Sequence, residues 1–410
     1  MPGQTNNMED SRFPWQRTLY ILVFSQLVVS MGFSSVYPFL PLFVTQLGST
    51  TGMGIELLSG LVYSAHSFTM MIASPIWGSL ADRFGRKIMV QRAMFGGALI
   101  LLLMAFATSA EQLVALRAIQ GLLTGTVSAT SALLASVVPN NQKGYAMGFL
   151  QVGFGTGIAF GPLLGGAVAD TFGYNTVLFL TAGMLTLGGI TVAVGINERF
   201  HTQGVYVSST PGIIKSWNSI ISIPGMSVTF AIRFLSSLGR IMIIPIIPLF
   251  IQSFWTDSSR LNTFTGLALG VASGFTTITA VIFGRIADRI GYRKILIGCT
   301  SLLAIVYTLQ GFISFGWQLI ILQGVVGVCL GGLLPIISAM LANFSKTVGV
   351  GSVFGLDNSI NAAGRALAPL VGTIILSFLG FPAAFTTAGI VFLIISLLAF
   401  WSLPSSRSTP

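Results

Sequence analysis

Charge is the scarcest property of this sequence. Only 7% of its 410 residues are Asp, Glu, Lys or Arg, where soluble domains carry about a quarter, while 53% are hydrophobic and the mean hydropathy is +0.87. A soluble fold of this length has no means of hiding that much apolar surface from water. Histidine occurs only as His66 and His201, which excludes a clustered imidazole site for a metal. The two cysteines, Cys299 and Cys329, both fall inside apolar runs and read as small core hydrophobes rather than a disulfide. No Gly-Lys dipeptide occurs, so the GxxxxGK[ST] phosphate loop of a primary pump is missing. Neither a metal nor a cofactor is expected.

What the chain has instead is length in its apolar runs, which extend for roughly 20 to 28 residues between short polar breaks, enough for a helix to cross a ~30 Å hydrocarbon core. The first six predicted spans are Thr18 to Thr45, Leu58 to Leu80, Ile88 to Thr108, Gln112 to Val137, Gly144 to Ala169 and Tyr174 to Gly195. The second six are Met226 to Gln252, Thr263 to Ile286, Ile295 to Ser314, Trp317 to Ala342, Gly351 to Ser377 and Phe381 to Leu403. The polar tail before them, residues 1–17, lacks the short apolar core of a cleavable signal and is expected to remain. The expected fold is an all-α polytopic membrane protein.

The chain also repeats itself. GSLADRFGRK at Gly78 to Lys87 returns as GRIADRIGYRK at Gly284 to Lys294, 206 residues further on. Pro38 and Pro41 match Pro245 and Pro248, Gln120-Gly121 matches Gln323-Gly324, Pro162 matches Pro369, and Thr181-Ala-Gly183 matches Thr387-Ala-Gly389. Matches held in register from the first span to the sixth predict two pseudo-symmetric six-helix bundles of like topology, residues 18–196 and 226–403, with a cavity where the repeats meet. In the linker, residues 197–225, Ile213, Ile214, Trp217, Ile220 and Ile221 recur at helical spacing. They read either as an amphipathic helix in the membrane interface or as an extension of span 7. A short tail, residues 404–410, follows the last span.

Basic loop residues resist translocation, so their bias sets orientation. Fifteen Lys and Arg, from Arg12 and Arg17 through both copies of the repeated motif to Lys346 and Arg407, fall on one side, and Arg260 stands alone on the other. The motif side, with both termini, is therefore expected to be cytoplasmic, and Glu56, Glu111, Asp170 and Asp257 to lie outside. The net charge of +10 sits in loops between spans rather than along one exposed element, which argues against nucleic acid as a partner. The lipid bilayer is the expected surroundings, and a monomer the expected state.

Polar groups within the spans are few: His66, Arg117, Gln151, Arg233, Arg240, Asp357, Asn358, Asn361 and Arg365. An arginine in mid-membrane costs up to about 3 kcal/mol unless it faces a cavity or snorkels. Arg240 lies ~20 Å along its helix from the motif side at 1.5 Å per residue. Four interior arginines against one interior acid, Asp357, suit either an anionic or amphiphilic substrate or a structural role on helix-end carbonyls. Phe24, Phe33, Tyr37 and Tyr63 are candidates to line an apolar pocket. His66 is the one interior group whose ordinary pKa lies near neutrality.

GSLADRFGRK resembles motif A of the major facilitator superfamily. Leu113 to Gly121, with Arg117 and Gln120, resembles its motif B, and Gly157 to Gly166, with Gly161, Pro162 and Gly165, its motif C. Motif C is similar to the signature of the drug:proton antiporter branch, and Tyr37 to Leu42 to the corresponding stretch of MdtG-type multidrug exporters. The resemblance spans nearly the whole chain. It implies a latch between the bundles, built from Gly78, Asp82, Arg83, Gly85, Arg86 and Lys87, their counterparts Asp288, Arg289 and Gly291, and Asp357 near the start of span 11. It implies a part for Arg117 in proton transfer, and the coupling and substrate candidates are Arg117, Gln120, His66, Arg240, Arg365 and Asn361.

The physical reading of these motifs is compatible with the resemblance. Gly85 frees the backbone for a tight turn, and glycines at every fourth position, Gly153 to Gly165, bare one face of span 5 for close packing. Packing alone would use the same glycines. Span 1 departs from the branch, because it carries no Asp or Glu where many drug:proton antiporters keep an embedded acid. The implied function is secondary active transport, with protons and a small molecule as partners: proton-coupled efflux of amphiphilic drugs or organic anions by alternating access, in a bacterial cytoplasmic membrane. An importer or facilitator of a small metabolite is the rival within the fold, and a non-transporting receptor the rival outside it.

Overall fold

A computed structural model of the chain describes residues 15–139, 142–196, 225–254, 260–348 and 350–402. The linker helix expected around Ile213 to Ile221, both tails and Asp257 lie outside the described residues. All regular structure within them is helical.

Among the described residues, ten helical stretches are long and apolar enough to cross a membrane. One of these, within Val350–Ser402, is divided by non-helical Gly380 into spans 11 and 12. Ile55–Phe84, a thirty-residue helix richer in Ser and with His66, forms span 2 and completes the twelve. Span 1 runs from Trp15–Val36 through a short 3-10 turn at Tyr37–Phe39 into Leu40–Leu47. Span 3 is Arg86–Met104, span 4 Ala110–Leu123 with Thr126–Val137, span 5 Lys143–Phe172 and span 6 Tyr174–Gly195. Span 7 is Met226–Met242 with Ile246–Phe254, span 8 Leu261–Ile290, span 9 Tyr292–Gln310 and span 10 Gly316–Val348. Several helices run two to six residues past the apolar core, because a helix keeps satisfying its own backbone in the interface while apolar content tracks only the hydrocarbon.

The internal repeat reappears as geometry. Spans 1 and 7 break at the same place, beside Pro38 and Pro245, where a proline supplies no backbone donor. Gly85 and Gly291 take φ of 98° and 91°, and each donates its N–H back to a carbonyl of the preceding helix, Ala81 at 3.1 Å and Ala287 at 3.0 Å. Only glycine is at ease there, so each copy of the motif turns from its long helix straight into the next. Gly157 packs on Ser30 in the first half, as Gly364 packs on Ser237 in the second.

Two buried cores follow from this plan. One gathers side chains from Leu19 to Ile196, and the other draws on Met226 to Ala399 together with Phe39 and Leu42 of span 1. The break in span 1 thus sends its second segment against the other half, at the end opposite the motif A turns. The outer face of the helices is greasy: Phe106, Phe378 and Trp401 stand at least 71% exposed, as lipid-facing side chains do.

Candidate functional site

Arg117 is the best-defined of the interior charges. Span 4 buries it to 3% exposure, and it is held by donation from Nε to the carbonyl of Val62 at 3.2 Å and from Nη1 to Oε1 of Gln120 at 2.6 Å. Its guanidinium lies 5.7 Å from the centre of the Tyr37 ring. Tyr37 meets Tyr63 edge to face at 4.6 Å, and the Tyr63 hydroxyl donates to the Tyr37 carbonyl, which the nearby proline break leaves accessible. His66 sits one turn along span 2, where Gly121 lets span 4 approach so closely that a Cβ would collide with the His66 carbonyl. Motif B thus brings its arginine and glutamine to the crossing of spans 2 and 4, where His66 of span 2 also lies.

Span 11 supplies the groups facing this crossing. Asp357 pairs with Arg233 of span 7: its Oδ2 accepts a hydrogen bond from Nη2 at 3.0 Å, and its Oδ1 lies 2.9 Å from Nε in an ion-pair contact that is not aligned as a hydrogen bond. One turn on, Asn361 accepts from Ser237, and Arg365 lies a further turn along. Arg365 is within electrostatic reach of His66, Arg117 and Arg240, and Arg240 of span 7 is within reach of Tyr37. The two halves therefore meet across a basic centre. Gly60 explains the closeness, since a Cβ there would strike the hydroxyl of Thr373 and the carbonyl of Pro369.

The motif A residues do something the sequence did not announce. Arg86 donates to the carbonyl of Ala132 at 3.3 Å and Lys87 to that of Ala193 at 2.8 Å, so both cations lie on carbonyls near the ends of helices. The counterpart of Lys87 is Arg293, which donates to the Phe400 carbonyl at the end of span 12. Arg289 is exposed and Gly291 occupies the turn. The side chains of Asp82, Arg83 and Asp288, and the surroundings of Gly78, lie outside the described residues. Asp357, grouped with the latch from sequence, has its carboxylate on Arg233. Arg92, inside span 3, has its guanidinium 3.5 Å from the centre of the Trp77 ring.

Motif C seats span 5 between spans 1 and 8. A Cβ on Gly157, Gly161 or Gly165 would collide with Ser30, Ser34 or Ser35 of span 1, and Ser34 and Ser35 donate to the carbonyls of Gly157 and Gly161, both at 2.9 Å. Gly166 instead meets the backbone of Asn262 and Thr263, and the Pro162 carbonyl lies against Gly266. Four residues beyond Gly166, Asp170 accepts from the N–H of Asn262 and Thr263 at 3.1 Å and 2.7 Å. It also accepts from their side chains, at 2.9 Å and 2.6 Å. An acid of one half thereby caps the first turn of span 8 in the other. Sequence reasoning missed this contact, although an acid ending one helix and an Asn-Thr pair opening another are both capping signals.

The sequence profile of the Major Facilitator Superfamily matches residues 22–226 and 229–410. The chain belongs to the major facilitator superfamily. Among its relatives in this superfamily is the multidrug resistance protein MdtG of Citrobacter koseri, 34% identical over 92% of this chain and 93% of that protein. MdtG of Enterobacter lignolyticus is 32% identical over 98% and 95%, and MdtG of Serratia proteamaculans 31% over 95% and 94%. Two solved structures share the fold: the nucleoside transporter NupG, with a TM-score of 0.75, 15% identity and 95% and 98% coverage, and the human organic anion transporter MFSD10, with 0.65, 19%, 95% and 100%. The protein is a multi-pass membrane protein and, as a member of this superfamily, a secondary transporter.

Proposed function

We propose that the protein exports amphiphilic drugs or organic anions by alternating access, driven by inward movement of protons, as a monomer in a bacterial cytoplasmic membrane with both termini inside. The observation that carries this reading is full-length similarity to MdtG multidrug resistance proteins, joined to a basic, aromatic-edged centre between the halves. The two bundles, residues 18–196 and 226–403, act as the rocking units, and residues 197–225 join them. Arg117, Gln120 and His66 serve coupling from the first bundle, with Arg240, Asn361 and Arg365 across from them, and motif A acts as the cytoplasmic latch. The staple of Asp170 on span 8 supports a form closed to the outside.

The test is flux in proteoliposomes across a panel of amphiphilic drugs and organic anions, with an imposed pH gradient and membrane potential. Uphill export that stops when both gradients collapse is the expected result. Persistence of uphill export after full collapse overturns the coupling. Flux that only ever runs downhill replaces it with facilitated diffusion.

A further inference from the structure

The interior charges do not balance. Asp357 forms its ion pair with Arg233, hydrogen-bonded through Oδ2 alone, which leaves Arg117, Arg240 and Arg365 with no acid partner among the described residues. Arg117 uses Nε and Nη1 on protein oxygens, but its Nη2 is buried without a partner, as are Nε2 of Gln120 beside it, Nδ1 of His66 and Nε of Arg240. Arg240 and Arg365 make no hydrogen bond to any described residue. Had Arg240 and Arg365 only anchored helix ends, their donors would lie on carbonyls, as those of Arg86 and Lys87 do and as Nε of Arg117 does on Val62. Buried guanidinium donors left unpaired cost more than the same groups engaged.

We propose that Arg117, Arg240 and Arg365, contributed by spans 4, 7 and 11 of both halves, form an anion-binding subsite for the carboxylate or similar oxyanion group of the transported molecule, with Tyr37 and Tyr63 beside its apolar part. Three planar forks offer more donors than a single oxyanion can use, so the subsite accepts its headgroup in more than one orientation. A cation of the same apolar shape is repelled by the same field. The assignment of the bound anion as cargo rests on the transport reading, whereas the existence of the subsite does not.

The test is equilibrium binding of tritiated 2-naphthoate, 2-naphthalenemethanol and 2-naphthylmethylammonium to the full-length protein in phosphatidylcholine nanodiscs. These probes share one apolar body and differ in charge. Naphthoate is expected to bind at least about tenfold tighter than the alcohol, from charge-assisted hydrogen bonds, and the ammonium more weakly than either. R240Q and R365Q are each expected to bring naphthoate down toward the alcohol while leaving the alcohol within about twofold, and R240K to retain part of the preference because charge survives without the fork. Equal binding of naphthoate and alcohol to the wild-type protein overturns the proposal without any variant, and equal weakening of both probes by R240Q and R365Q does the same. Displacement of naphthoate by phosphatidylglycerol in the nanodisc assigns the subsite to a lipid headgroup and overturns the cargo assignment. Selective naphthoate binding with no flux of naphthoate in proteoliposomes supports the subsite and overturns the cargo assignment.

Discussion

Asp170→Ala removes four acceptor contacts that join span 5 to the first turn of span 8 across the two halves, at 2.6 to 3.1 Å. Losing an N-cap acceptor typically costs ~1 kcal/mol, and up to about 2 kcal/mol in well-built cases. Bonds to a charged group are individually stronger, but Asp170 is half-exposed and solvent recovers part of what is lost. About 2 kcal/mol is therefore the magnitude assigned to the staple. Because this contact exists only when the halves meet at that end, its loss falls on the closed form alone and shifts the closed-to-open ratio by roughly 30-fold, at 1.4 kcal/mol per factor of ten. The assay is double electron resonance between spin labels on the Asp170 ends of spans 5 and 8, in nanodiscs. The distance distribution should move from mainly short to substantially long in Asp170→Ala, with thermal stability of the separate helices' packing little changed. Identical distributions in the wild-type and variant proteins would refute the reasoning and leave Asp170 as a local helix cap with no hold on the conformational equilibrium.

Asp357→Asn should destabilise the protein by about 3 kcal/mol, toward the lower end of the cost of breaking a buried pair, since Arg233 keeps 15% of its side chain accessible. The double substitution Arg233→Met with Asp357→Leu should recover most of that loss in thermal unfolding, and a double variant no better than the single one would show that the pair has a role other than mutual neutralisation. In motif C, Gly161→Leu places a branched side chain where even a Cβ collides with Ser34. The expected outcome is a loss of 2 kcal/mol or more with reduced recovery of folded protein, and normal thermal stability in detergent would contradict the observed packing of span 5 on span 1.

Much of this architecture was legible before any coordinates, for a physical reason. Hydrocarbon offers the backbone no partners, so apolar runs of membrane-crossing length must be helices, and the repeat of GSLADRFGRK as GRIADRIGYRK already implied that the helices come in two like sets. The chemistry of single positions was legible too: Gly85 and Gly291 are at turns that require positive φ, and Gly157 to Gly165 bare the face that span 1 occupies.

Partnership between distant residues was another matter, because a hydrogen bond depends on where two atoms come to lie and composition carries no distances. Asp357 is an acid in a span at the level of sequence, and only the packing of span 7 on span 11 pairs its carboxylate with Arg233 and so leaves three other arginines without an acid among the described residues. Asp170 and the Asn262-Thr263 pair are separately unremarkable, 92 residues apart, and become a staple only because Gly166 and Gly266 let spans 5 and 8 touch. The sequence by itself determined that the chain crosses a membrane as two repeated sets of helices, since period, length and apolarity suffice for that. Tertiary structure alone decided which charges are spent on one another and which remain to meet a ligand, since that depends on a few ångströms of helix approach.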